Sequence, residues 1–289
     1  MENIKQTYTL ITGASEGLGK ALALECAARG MNLILVALPS IELYQVASFI
    51  RHNYKALVCE FELDLTVEKD RLYLWRRIKE NNFSITMLIN NAGGGVTSPF
   101  TDKSFETWQK LIQLNITSVV HLTHLLTPEL KRHERSYLLN VSSLAIFFFL
   151  PEKQVYGATK SFIYFFSRSL CRELKKDGVN VSILCPGGIK TTPELFFLNQ
   201  HGDQWARSSS MTPERVAAIA IKGLLNNKEI IIPGGYNQFF MYLKNILPAS
   251  IKSRMIERRM KKLSAMKTEA ITAHNGFFSG NAAWSNCIK

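Results

Sequence analysis

Tyr8-Thr9-Leu10-Ile11-Thr12-Gly13-Ala14-Ser15-Glu16-Gly17-Leu18-Gly19 decides the fold. An apolar, β-prone run stops at a glycine-rich turn. The residues from Leu18 to Arg29 then recur with helical periodicity as far as Gly30, a residue type that closes helices. Strand, glycine turn and helix together open a dinucleotide-binding unit. Gly13, Gly17 and Gly19 stand where the backbone must turn sharply and let a pyrophosphate approach the N-terminal end of the helix, whose free amides attract anions. Ser15 and Leu18 are assigned to the same cradle.

The alternation continues outward from this unit. Strands are expected at Leu33 to Ala37, Ala56 to Glu60, around Met87 to Ile89, and at Tyr137 to Val141, Val179 to Leu184 and Glu229 to Ile232. Helices are expected at Ile41 to Arg51, Val67 to Glu80, Phe105 to Lys131 (with Pro128 placed to bend or end it) and Gln154 to Lys176. A further helix starts with Thr212 as N-cap and Pro213 in its first position. Strands alternating with helices predict an α/β fold: a doubly wound parallel sheet covered on both faces, binding ligands at the carboxyl ends of its strands. No linker or repeat interrupts residues 1–238, read as one Rossmann-type domain, and residues 239–289 form a separate C-terminal extension.

A second stretch carries the chemistry. Tyr156 and Lys160 are four residues apart on the Gln154 helix and so share a face. A free tyrosine titrates near ~10, and a lysine ammonium beside it stabilises the phenolate and lowers that value. Ser143, thirteen residues before Tyr156 at the end of a strand, is placed to hold a carbonyl or alcohol oxygen beside the phenol; Ser142 is its neighbour and rival. Asn90-Asn91-Ala92-Gly93 follows the fourth strand and Pro186-Gly187 the sixth. With these motifs in this order, residues 5 to 235 resemble the short-chain dehydrogenases/reductases of the compact, single-domain kind.

The resemblance implies roles. Asn91, Ala92 and Gly93 shape the cofactor cleft, and Asp64-Leu65 contacts adenine, although Asp64 also reads as a helix cap. Asn115, unfavourable by propensity in mid-helix, kinks its helix and supports a proton relay from the lysine to solvent. Pro186, Gly187, Ile189 and Thr191 close on the nicotinamide. Tyr156 donates the proton to a ketone receiving hydride, Lys160 lowers the tyrosine pKa and binds the nicotinamide ribose, and Ser143 orients the carbonyl.

The second strand ends Val36-Ala37-Leu38-Pro39-Ser40, without the acid that selects NAD or the arginine that selects NADP, and Glu16 stands where NADP users often carry a basic residue. The expectation leans to NADP(H), with Ser40 as a phosphate contact. Leu144-Ala-Ile-Phe147-Phe148-Phe149-Leu150 reads equally as core or as an apolar cleft wall, and Leu195-Phe196-Phe197-Leu198 occupies the loop that, by the resemblance, covers the site. The expected activity is therefore NADPH-dependent reduction of a hydrophobic, lipid-like carbonyl. An NAD-linked alcohol dehydrogenase and a non-catalytic dinucleotide sensor or scaffold are the alternatives.

With 289 residues, 46% of them hydrophobic and 20% charged, the composition is that of an ordinary globular protein. Five scattered cysteines lack metal-ligand or paired spacing. No metal is expected, and a cytoplasmic homo-oligomer, a dimer or tetramer, fits best. No apolar run reaches the ~18–20 residues of a membrane span, and no signal-like segment precedes the first strand. Of the net charge of +12, much lies in residues 244 to 267, where eight basic groups face one acid in an amphipathic helical pattern. That segment reads as a helix with a solvated basic face or as a peripheral contact with anionic membrane; no nucleic-acid motif accompanies it.

Overall fold

Strand β1 (Thr7–Thr12) is buried from Tyr8 to Thr12, because it lies inside a seven-stranded sheet with helices on both faces. The strand order is β3-β2-β1-β4-β5-β6-β7, and every neighbouring pair is parallel. The other strands are β2 (Asn32–Ala37), β3 (Val58–Glu62), β4 (Ser84–Asn90), β5 (Ser136–Val141), β6 (Val179–Leu184) and β7 (Ile230–Ile231). This computed structural model describes residues 6–147, 150–189 and 210–239. Thr191, the 195–198 run and the basic 244–267 segment lie outside the described residues.

Parallel strands buried on both faces are near-continuously apolar, and this sheet separates two cores accordingly. On one side Ile11, Leu35, Ile89 and Leu139 pack against Leu22 and Cys26 of α1 (Gly17–Ala28), Leu43 and Ile50 of α2 (Ile41–Tyr54), and Val216 and Leu224 of α7 (Pro213–Leu225). On the other, Leu10, Ile34, Leu88 and Leu138 meet Leu74 and Ile78 of α3 (Glu68–Glu80), Leu122 and Leu126 of α5 (Ser118–Leu130), and Leu174 of α6 (Gln154–Leu174). Fully burying such a side chain contributes ~1.5–3 kcal/mol. Thr212 caps α7 as expected, its side chain accepting from the Arg215 amide.

Two boundaries differ from the sequence reading in ways that matter. Strand β3 runs two residues further than expected and ends on Glu62, because its ladder to β2 continues to Ala37. The expected single helix from Phe105 to Lys131 is divided into α4 (Phe105–Ile112) and α5 by a π-turn at Gln113–Thr117. Pro128 sits inside α5 near its end, so the proline is not the point of interruption.

A chain of buried amides ties the middle of the sheet to its helices. Asn90 Nδ2 donates to Asn140 Oδ1 at 2.8 Å and to Thr123 Oγ1 at 3.1 Å. Asn140 Nδ2 donates to Ser167 Oγ at 2.8 Å, and that hydroxyl donates to the Ile163 carbonyl. Connections from β1 and β4 run to opposite sides, which opens a crevice at their carboxyl ends, where ligands bind in such sheets.

Candidate active site

The glycine turn sits at this crevice. Gly13 has φ +65° and Gly17 φ +52°, the left-handed region that glycine adopts without strain. Gly19 is required by space, since a Cβ there would lie 1.7 Å from the Gly13 carbonyl oxygen. Asn91 braces the turn by donating from Nδ2 to the carbonyls of Thr12 (2.9 Å) and Gly13 (3.1 Å). In return Thr12 Oγ1 accepts from the amides of Asn91 and Ala92 at 3.0 and 2.9 Å. Thr12 was not singled out in the sequence, although its place between the strand and the first glycine was visible.

The N-terminus of α1 fits a dinucleotide pyrophosphate. Its N-cap residue, Glu16, makes no side-chain cap and no acid occupies the first turn, so the leading amides are left for an anion. Ser15 is half-buried beside them, while Leu18 points into the core at 8% exposure. Asp64 Oδ1 accepts from the amide and hydroxyl of Thr66 at 2.9 and 2.7 Å, a turn ahead of α3, whose N-cap is Val67 without a side-chain cap, so Asp64 is not the helix cap. The adjoining Leu65 carbonyl accepts from the buried Arg71 at 2.6 Å.

Ser143, Tyr156 and Lys160 converge where β5 ends against the first turns of α6. The side chain of Ser143 interacts with the Tyr156 phenol, and its Oγ accepts from the Ala145 amide at 3.1 Å. Ser142 faces away from this role; its hydroxyl donates to the Lys160 carbonyl at 2.8 Å. Lys160 is 6% exposed, and its Nζ donates to the Val141 carbonyl at 3.0 Å.

Burial pulls the Lys160 pKa down to about 8. The expected lowering of the tyrosine pKa by Lys160 is not what the protein shows. Burial raises the Tyr156 phenol above its usual value, and the group opposing that rise is Ser143. A desolvated phenol disfavours its charged form.

Asn115, fully buried in the π-turn, is held on three sides. Its Oδ1 accepts from the Gly94 amide at 2.9 Å, and its Nδ2 donates to the Gly94 carbonyl and to Thr159 Oγ1, both at 3.0 Å. Thr159 in turn donates to the Tyr156 carbonyl at 2.8 Å. A Cβ on Gly93 would come within 3.1 Å of both Asn115 Oδ1 and Lys160 Nζ, so the missing side chain lets the two groups approach one another. Pro186 offers its carbonyl to the Leu144 amide at 2.9 Å, Gly187 follows it, and Ile189 forms a parallel bridge with Met211. Phe147 stacks edge-on against Tyr164 beside a small core cluster.

A family model described as short chain dehydrogenase matches residues 7–196. The chain belongs to the short-chain dehydrogenases. Its sequence is 30% identical over 268 residues to a very-long-chain 3-oxoacyl-CoA reductase of Anas platyrhynchos, covering 89% of this chain and 81% of that protein. Among solved structures, a bulky-bulky ketone specific alcohol dehydrogenase from Comamonas testosteroni is similar with TM-score 0.69 at 26% identity, covering 97% of this chain and 96% of that one. A short-chain dehydrogenase from Sphingobium yanoikuyae in complex with NADPH is similar with TM-score 0.70 at 25% identity, covering 98% and 99% of the two chains. As a short-chain dehydrogenase this chain is an oxidoreductase acting between CH–OH and C=O groups with a nicotinamide dinucleotide. Among the described residues no helix is long and apolar enough to cross a membrane, and no cluster of metal-ligating side chains occurs.

Proposed function

We propose that this short-chain dehydrogenase reduces an apolar ketone to a secondary alcohol, with Tyr156 as proton donor. The observation that carries the reading is the convergence of Ser143 and Tyr156 beside the buried Lys160 where β5 ends against α6. Nicotinamide, when bound, supplies or accepts the hydride. Ser143 holds the substrate oxygen next to the phenol, and the phenol gives its proton to the developing alkoxide. A tyrosine whose pKa is raised by burial is protonated at neutral pH and ready to act as an acid. Lys160 binds the nicotinamide ribose, and Asn115 fixes the geometry of Gly94 and Thr159 around it.

An apolar substrate is supported by the apolar surroundings of the glycines beside the phenol. The missing side chain of Gly95 faces the Tyr156 ring at 3.5 Å, and that of Gly94 faces Leu111 and Leu114. The relative acting on very-long-chain 3-oxoacyl-CoA and the neighbour specific for bulky ketones support the same class.

We also infer a homo-oligomer from apolar side chains displayed on α4 and α6, among them Phe105 at 75% and Phe165 at 67% exposure. Nicotinamide oxidation should be followed against medium and long-chain ketones, with wild-type and Tyr156→Phe. Turnover that rises with chain length and falls ~10²–10⁴-fold in the variant, with nucleotide affinity retained, is the expected result. A fully active variant would sink the assignment.

A further inference from the structure

Glu62 closes β3 at the corner where the adenosine ribose is read. In the ladder it stands beside Ala37, the last residue of β2, and its Oε1 accepts from the Ser40 amide at 3.2 Å. Ser40 leads into α2 in an extended conformation, and its own hydroxyl is buried without a partner. In a doubly wound sheet an acid at this corner takes the ribose hydroxyls, whereas a basic residue takes a 2′-phosphate.

Carboxylates outnumber cations around the corner: Arg51 is paired with Glu60, and Arg77, which lines the cavity beside Glu60 and Glu62, is paired with Glu80. Glu62 is exposed and bound to the Ser40 amide, Glu16 is exposed at the head of α1, and Glu42 lies in the first turn of α2. Leu38, 60% exposed, follows β2 directly, and no lysine or arginine occurs between Arg29 and Arg51. A dianionic phosphate at this corner would meet carboxylates, and the amide best placed to receive it is already engaged.

We propose that Glu62 is the residue that sets nucleotide specificity: its carboxylate accepts from the ribose hydroxyls of NAD(H) and repels the 2′-phosphate of NADP(H). The assignment rests on the nucleotide-binding reading of the glycine turn. It reverses the preference that strand β2 alone suggests, because the acid comes from the neighbouring strand. Ser40 is then held by Glu62 and does not serve as a phosphate contact.

The test is a fluorescence titration of the full chain with NADH and NADPH separately, in wild-type, Glu62→Gln, Glu60→Gln and the double variant Leu38→Arg with Glu62→Gln. Wild-type should bind NADH about tenfold or more tightly than NADPH. Glu62→Gln should narrow that ratio by roughly tenfold, through a gain in NADPH affinity, as removal of a partly hydrated charge repulsion predicts. Glu60→Gln, two residues earlier and paired with Arg51, should leave the ratio unmoved. The double variant should favour NADPH. Equal or tighter NADPH binding by wild-type, or a ratio insensitive to Glu62→Gln, would overturn the proposal while the dinucleotide reading stands. Binding of neither nucleotide would remove both.

Discussion

Arg71 Nε donates to His121 Nδ1 at 2.9 Å, joining α3 to α5 just below the Leu65 carbonyl that the same guanidinium holds. The imidazole must be neutral at Nδ1 to accept this bond. Its pKa is lowered from 6.5, by burial first and then by Arg71, with Glu68 opposing. A folded pKa below the unfolded one means that the unfolded state binds more protons in between. The bond's stability is therefore complete above about pH 6.5 and is lost as pH falls towards the lower folded value. Thermal melts from about pH 7.5 to 5.5 should show the decline, and His121→Gln, which still accepts from Arg71, should flatten it. An unchanged slope in that variant would refute the assignment.

Ser142 and Ser143 are adjacent, yet their substitutions should separate cleanly. Ser143→Ala removes the hydroxyl that interacts with the phenol, so kcat should fall by roughly 10²-fold and the Tyr156 absorbance titration should move to higher pH. Ser142→Ala loses one buried bond to the Lys160 carbonyl. It should cost ~0.5–1.5 kcal/mol of stability while kcat stays within a few-fold of wild-type. Swapped outcomes would exchange the two roles.

Lys160, with a pKa near 8 in the free protein, should give nucleotide binding a limb at alkaline pH. The ammonium is the form that binds a ribose hydroxyl and is lost as pH rises through about 8, so affinity should weaken there. Lys160→Met should bind weakly at every pH and lack the limb. Isothermal titration across this range reads both quantities.

Gly19→Ala places a methyl 1.7 Å from the Gly13 carbonyl oxygen. Backbone must shift to relieve it, at a cost of ~1–3 kcal/mol, and the shift falls on the amides that would meet the pyrophosphate. Melting temperature and nucleotide affinity should drop together. A variant that binds NADH normally would show that the turn has more freedom than its packing indicates.

The fold was legible because its signals are local. A strand followed by three spaced glycines, and Tyr156 four residues before Lys160, are patterns within one or two turns of chain. The π-turn at Gln113–Thr117 was legible only as the kink that the family resemblance places at Asn115, because the apolar spacing of Leu111, Leu114, Val119 and Leu122 continues through it and the extra residue leaves no mark in composition. Glu62 was missed because β3 alternates Glu60, Phe61 and Glu62 at a sheet edge, where an acid reads as readily as the start of a loop. The raised Tyr156 pKa was missed for a different reason: spacing gives the proximity of a lysine but not the depth of burial, and burial is the larger effect here.

Asn90 and Asn140 stand opposite one another in the β4–β5 ladder, with their amides joined under the site. Apolar strands such as Met87-Leu88-Ile89 and Tyr137-Leu138-Leu139 have side chains too alike to fix their mutual alignment. A slip of one residue would keep most of the greasy contacts but turn these amides to opposite faces of the sheet. It would also strand their donors and acceptors without partners, at ~1–3 kcal/mol for each group. The amide pair therefore works as a key for strand alignment, one residue before Asn91, which follows β4, and two before Ser142, which follows β5. It lets a hydrophobic sheet bring the glycine turn and the serine–tyrosine pair to the same height.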